Sequence, residues 1–203
     1  MKAVIFLEGG GDTSLDSQCR EGFRKLLESA GFKGKMPRLF ASGSRREAYE
    51  DFKTAHDLRK AEYVGLLIDS EDPVADIEKP WEHLANRKDD QMSCPLEATH
   101  EQALLMATCM ETWIAADRAT LIRQFGNGLR PNALPALTDL ESRHRRDVQA
   151  ALISATKECK VPYAKGRTSF EVLGELQPES LRRNLPSFRR VERILRERLH
   201  VDE

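Results

Sequence analysis

Two short apolar runs in this chain each end on carboxylates, and they restrict the fold more than any other feature. Ala3-Val-Ile-Phe-Leu7 leads into Glu8-Gly-Gly-Gly-Asp12, and Tyr63-Val-Gly-Leu-Leu-Ile68 leads into Asp69-Ser-Glu71-Asp72. An apolar run of this length between breakers reads as a strand covered on both faces, as in a parallel sheet. In open α/β sheets, ligands bind just beyond the carboxyl ends of such strands. Neighbouring strands would therefore bring Glu8, Asp12, Asp69 and Glu71 into one crevice. Carboxylates that close raise one another's pKa. A divalent cation removes the penalty, so the arrangement points to a Mg²⁺ (or Mn²⁺) site.

The pattern between the two runs supports this class. Leu15, Cys19, Phe23, Leu26 and Leu27 recur at helical spacing, and Gly31 suits a helix C-cap. Arg38–Ala41 is a short strand, and Ser44 with Glu47 forms a capping box for a helix over about 45–60. Strand and helix in alternation imply βαβ crossovers and a largely parallel, Rossmann-like sheet flanked by helices. Residues 70–100, with Pro73, Pro80 and Pro95, read as a long excursion with one short helix near Trp81–Leu84. Residues 102–108 are either a buried strand or a helix start. Residues 111–117 read as helical, and Gly126–Pro135 as a loop. Asp139 to about Lys160 reads as a helix with Val148, Leu152 and Ile153 inward. A second loop covers Val161–Ser169, and a last helix spans about Ser187–Leu199. The expected organisation is an α/β domain over 1–125 and a mostly helical part over 126–203 packed on it, or the two as one unit.

The 203 residues suffice for a real core. A net charge of −1 provides no global basic field, so a nucleic-acid role would rest on local patches. Cys19, Cys94, Cys109 and Cys159 lack any CxxC spacing and read as reduced thiols. Five apolar residues before Glu8 are too few for a signal segment, and no run is long enough to span a membrane. The expected compartment is the cytoplasm. Gly9-Gly10-Gly11 has neither the GxGxxG spacing nor a P-loop Lys-Ser/Thr, which argues against a dinucleotide or Walker-type site.

Each candidate has two readings. Glu8 is a metal ligand or general base, or a charged strand end. Asp12 is a ligand or the N-cap of the next helix. Asp69 pairs with Glu8, and either Glu71 or Asp72 completes the set. Glu111 is a supporting carboxylate or an exposed helix position. Arg45 and Arg46, at a helix N-terminus, grip a phosphate or are ordinary surface charge. The C-terminal arginines, Arg189 and Arg190 among them, are a phosphate-tracking surface beside the acidic site or a solvated helix face.

A strand ending in Glu, followed by one ending in Asp-x-Glu, resembles the Toprim domain of topoisomerases, primases and OLD-type nucleases. The Glu8-x-x-x-Asp12 spacing is similar to the OLD-type variant. Further stretches, Met110-Glu-Thr-Trp-Ile-Ala-Ala-Asp117, Tyr163-Ala-Lys-Gly-Arg-Thr-Ser-Phe170 and Leu185-Pro-Ser-Phe188, resemble the bacterial domain of unknown function 4276, a Toprim-like family. The resemblance implies a Mg²⁺-dependent nuclease with Glu8, Asp69, Glu71 and Lys165 catalytic, Lys165 stabilising developing charge. It also implies a nucleic-acid substrate (DNA or RNA), with phosphate contacts that would include Arg167. The expected partner is an ABC- or SMC-like ATPase in a phage-defence-like setting. The alternative role is a non-catalytic regulatory or assembly subunit of such an ATPase.

Overall fold

The computed structural model describes residues 2–90 and 92–201. Among them, β1 (Ala3–Leu7), β2 (Arg38–Ala41), β3 (Tyr63–Asp69) and β4 (Ala103–Met106) form one all-parallel sheet in the order β2-β1-β3-β4. Period-2 alternation divides each strand's side chains between two buried faces. Ile5, Leu7, Leu67, Leu104 and Met106 point to one core, and Val4, Phe6, Leu66, Ile68 and Leu105 to the other. Coverage on both faces explains why these strands read as unbroken apolar runs.

The smaller core is closed by α2 (Arg45–Asp57), through Ala48, Tyr49 and Phe52, and by α3 (Pro80–Asn86), through Trp81 and Leu84. Ser44 and Glu47 make the expected capping box at the start of α2. The larger core takes α1 (Thr13–Leu27) and α4 (Met110–Ala116) together with helices from beyond residue 125. These are α6 (Arg145–Thr156), α7 (Arg167–Gly174), α8 (Pro178–Asn184) and α9 (Pro186–Leu199); α5 spans Arg118–Phe125. Ile5, Phe23, Leu152, Phe170 and Phe188 thus belong to one hydrophobic cluster. The result is a Rossmann-like α/β fold with a helical C-terminal part. No helix among the described residues is long and apolar enough to cross a membrane.

Of the two readings of residues 102–108, the buried strand holds, over 103–106 with all four residues buried. Several other local expectations are corrected. The helix expected from Asp139 begins only at Arg145, because Asp139 adopts a left-handed conformation (φ 50°) before a 3₁₀ turn over Leu140–Ser142. Val148, Leu152 and Ala155 set the inward face of α6, which leaves Ile153 54% exposed. The expected loop 161–169 already contains the start of α7. That helix crosses α1 at Gly22, where a Cβ would stand 2.5 Å from the Phe170 carbonyl oxygen. α1 itself ends at Leu27, and a π-helical turn carries the chain to Phe32 through Gly31 at φ 98°.

Chain direction places the crevice. From β1 the chain goes to β2 on one side, and from β3 to β4 on the other, so the loops after β1 and β3 part at the carboxyl ends of adjacent strands.

Candidate metal centre

The site begins with register. Leu7 pairs with Leu67, and the Glu8 N–H donates to the Leu67 carbonyl at 3.1 Å, which carries the ladder one residue past β1. Glu8 Oε2 in turn accepts the Asp69 N–H at 3.1 Å. Beyond Glu8 the chain must turn sharply, and Gly9, Gly10 and Gly11 do so at φ 132°, 99° and 125°. A Cβ on Gly10 would lie 2.0 Å from Asp16 Oδ1, so a side chain there would be strained in backbone conformation and would also have to displace the Asp16 carboxylate from the Gly11 N–H. Gly9 exchanges backbone hydrogen bonds with Gly43 at 2.9 and 3.0 Å, tying this turn to the end of β2.

Asp69 ends β3, and its Oδ1 accepts the Met110 N–H at 2.7 Å, at the start of α4. Glu71 takes a left-handed φ of 70°, and its N–H donates to the Thr108 carbonyl at 2.8 Å, just past β4. These contacts bring carboxylate oxygens of Glu8, Asp69 and Glu71 within 4.8 Å of one another, the one such group of three among the described residues. Glu71 is drawn into the group, whereas Asp72 turns to the rim and pairs with Arg87.

Four cations surround the acids without fully neutralising them. Arg45 Nη1 lies 3.7 Å from Glu8 and also donates to the Asp69 carbonyl, while its Nε donates to Asp90 at 2.7 Å. Arg87 Nε donates to the same Asp90 oxygen at 2.7 Å, and Arg87 Nη2 stands 4.0 Å from Glu71. Arg145, the first residue of α6, pairs with Glu71. Glu111, 1% exposed, accepts from Tyr163 Oη at 3.1 Å and Gln149 Nε2 at 3.3 Å, with Lys165 Nζ 3.6 Å away.

The electrostatic outcome differs among the acids. Burial foremost, and then the Glu8 and Glu111 charges, push the Asp69 carboxyl well above its ordinary range. Burial also raises Glu8; Arg45 offsets part of it, and Glu71 and Asp90 add to the rise. Asp90 moves the other way: against the effect of burial, its hydrogen bonds to Arg87 and Arg45 hold it low. Asp69 and Glu8 are therefore the groups whose negative charge lacks compensation, and they lie where a cation would restore it.

A comparison with protein-family models matches residues 7–196 to Domain of unknown function (DUF4276). The chain belongs to this family. Comparisons with curated proteins and with solved structures found no match. The span assigned to DUF4276 takes in the three clustered acids together with Glu111, Arg145 and Lys165.

Other expected site residues of this DUF4276 chain lie elsewhere. Asp12 is the N-cap of α1, its Oδ1 accepting the N–H groups of Ser14 and Leu15 at 2.8 and 2.9 Å. Arg46 is exposed, and Arg167 pairs with Glu171 on its own helix at 2.7 Å. Arg190 is 3% exposed and donates to the carbonyls of Ala103 (2.9 Å) and His100 (2.6 Å), at the amino end of β4. Arg193 pairs with Glu78 at 2.8 Å, and Arg198 with Glu101. Arg189 donates to the Arg182 carbonyl at 2.6 Å. The basic segment of α9 thus serves the end of the sheet opposite the acids, because α9 packs along β4 and Arg190 binds where that strand starts.

Sequence reasoning did not single out Arg87, Asp90, Arg145 or Tyr163. Arg87 and Asp90 lie in the polar run of the excursion over 70–100. Arg145 was hidden in a helix that began too early, and Tyr163 appeared only as part of a family resemblance.

Proposed function

We propose that this DUF4276 protein is a Toprim-like, metal-dependent nuclease that hydrolyses phosphodiester bonds in DNA or RNA. The observation that carries this reading is the convergence of Glu8, Asp69 and Glu71 oxygens within 4.8 Å at the crevice between β1 and β3. The donors are all carboxylate oxygens, which suit a hard cation such as Mg²⁺ or Mn²⁺. Six carboxylates (Glu8, Asp69, Glu71, Asp72, Asp90 and Glu111) face four cations (Arg45, Arg87, Arg145 and Lys165). This leaves a formal surplus of two negative charges, the charge of one divalent ion. A Glu at one strand end and an acidic pair beginning with Asp at the next also resemble the Toprim pattern, with Glu71 standing in place of the second Asp of a plain Asp-x-Asp.

Glu8, Asp69 and Glu71 would hold the ion, with Glu111 behind them. When bound, it supplies activation of the attacking water and neutralisation of the leaving oxygen. Glu8 either ligates the ion or, outside its shell, takes a proton from the attacking water; the two roles exclude each other, because a bound cation lowers a carboxylate's proton affinity. Lys165, 61% exposed and leaning on Glu111, can reach from the rim toward a transferring phosphoryl group. The near-neutral net charge supports delivery of the nucleic acid by an ABC- or SMC-like ATPase partner, as the family resemblance implies.

Titration of Mg²⁺ and Mn²⁺ into wild type and Asp69→Asn, followed by incubation with single-stranded DNA, duplex DNA and RNA, tests the reading. Wild type should bind metal and cleave at least one substrate, and Asp69→Asn should do neither while remaining folded. Wild-type rates in Asp69→Asn would overturn it. Partner binding without metal-dependent turnover would replace it with an assembly role.

A further inference from the structure

The basic run Arg143-His-Arg-Arg146, at the start of α6, stands on the wall of the acidic crevice. Thr108, just past β4, holds both sides of that wall: its carbonyl accepts the Glu71 N–H at 2.8 Å, and its Oγ1 donates to the Arg143 carbonyl at 2.9 Å. His144 Nδ1 accepts the Arg146 N–H at 3.2 Å, which fixes the turn into the helix. The position of the run is therefore set by the strand end that also positions Glu71.

Its charges are incompletely satisfied within the chain. The Arg146 side chain is exposed and makes no ion pair among the described residues, and Arg143 Nε is buried without a hydrogen-bond partner among them. Arg145 has a partner in Glu71, one of the three clustered acids. That pairing conflicts with metal binding, since a carboxylate neutralised by a guanidinium is a poorer cation ligand. The other cation near Glu71, Arg87 at 4.0 Å, is committed to Asp72 and Asp90, so release of Arg145 alone would expose Glu71 to a metal ion. The arginines of α8 and α9 differ, with Glu78, Glu101 and Glu192 committed to Arg193, Arg198 and Arg182 at the far end of the sheet or along its outer helices.

We propose that residues 143–146 form the phosphate-binding shoulder for the nucleic acid, and that Arg145 is its exchangeable member. Without a polyanion it neutralises Glu71; when a phosphodiester strand lies across the shoulder, its guanidinium moves to a phosphate oxygen and frees Glu71 for the metal. This rests on the nuclease reading and adds which surface carries the strand and how its arrival prepares the cation site. Guanidinium suits the task, because its fork meets phosphate as readily as carboxylate.

The test is oligonucleotide binding in metal-free buffer with chelator, where no cleavage interferes. Fluorescent single-stranded DNA and RNA of one sequence are titrated over a range of salt. Joint Arg145→Gln and Arg146→Gln substitution should lower the slope of log K against log salt by about 2, about one for each lost phosphate contact. Arg193→Gln with Arg198→Gln should leave the slope unchanged. Arg146→Gln alone, at an exposed position, should lower it by about 1 and controls for any effect on folding. In the absence of nucleic acid, Arg145→Gln should also bind Mn²⁺ several-fold more tightly than wild type. An unchanged salt slope in the Arg145/Arg146 variant overturns the proposal, even if the protein cleaves nucleic acid. Failure of every oligonucleotide to bind overturns it as well, and loss of metal binding and cleavage in wild type would bring down the nuclease reading separately.

Discussion

The two ends of the parallel sheet carry charge in opposite ways. At the amino end, Arg190 donates to the Ala103 and His100 carbonyls and shares Glu78 with Arg193, and Arg198 meets Glu101. At the carboxyl end, Asp69 has no ion pair among the described residues, Glu8 has only Arg45 at 3.7 Å, and both proton affinities are pushed up. Charge held by carbonyls and carboxylates holds structure together, whereas mutually repelling charge in one crevice costs stability unless something else joins it. The contrast separates a structural arginine from a functional carboxylate more clearly than the abundance of either in the sequence.

The strongest way to break the comparison is Asp69→Asn. It should cost at least about 100-fold in Mn²⁺ affinity, as judged by calorimetry, yet raise the melting temperature of the metal-free protein, because the Asn oxygen can still accept the Met110 N–H. A lower melting temperature would mean that the carboxylate is stabilising where it sits. Next is Arg190→Ala, which removes a buried guanidinium with its bonds to the Ala103 and His100 carbonyls and leaves Glu78 to Arg193; it should cost about 3 kcal/mol in denaturant unfolding. Mn²⁺ affinity should be unchanged in that variant, and a coupled loss would show that the two ends are not independent.

A third test uses pH. Glu8 and Asp69 have folded-state pKa values above their unfolded ones. Their contribution to stability is thus fully present below the unfolded values and is lost as pH rises through the folded ones. The gain from Asp69→Asn should therefore be larger at about pH 8 than at about pH 5 in metal-free thermal melts. A gain independent of pH would rule out desolvated charge as its cause. The smallest effect is expected for Arg193→Gln, an exposed pair with Glu78, which should shift stability by no more than about 0.5 kcal/mol.

Much of the acidic end could be read from residue order. Apolar runs buried on both faces announce β1 and β3, and a strand's last residue has a fixed place, so Glu8 and Asp69 follow directly. Less could be read where contacts span long stretches of chain. Asp90 meets Arg45 across 45 positions, and Arg145 meets Glu71 across 74. Asp12 satisfied two readings equally until its oxygen was seen capping α1. The basic segment of α9 misled because density of arginine says nothing about which glutamates and carbonyls wait for it. The short helices α7 and α8 have weak sequence signals: α7 starts after a glycine with no helix-capping side chain of its own, and α8 spans seven residues.

The crossing of α1 and α7 at Gly22 has a consequence in time. Chains emerge from the ribosome amino end first. When residue 125 has just appeared, Glu8, Asp69, Glu71 and Glu111 have all been made, but Arg145, Tyr163, Lys165 and the helix that seats against Gly22 have not. The acidic crevice is then missing two of its counter-charges and much of the larger core that fixes it. Any chemistry at this crevice must wait for almost the whole chain, so a nascent or truncated product carries the acids without their complete setting.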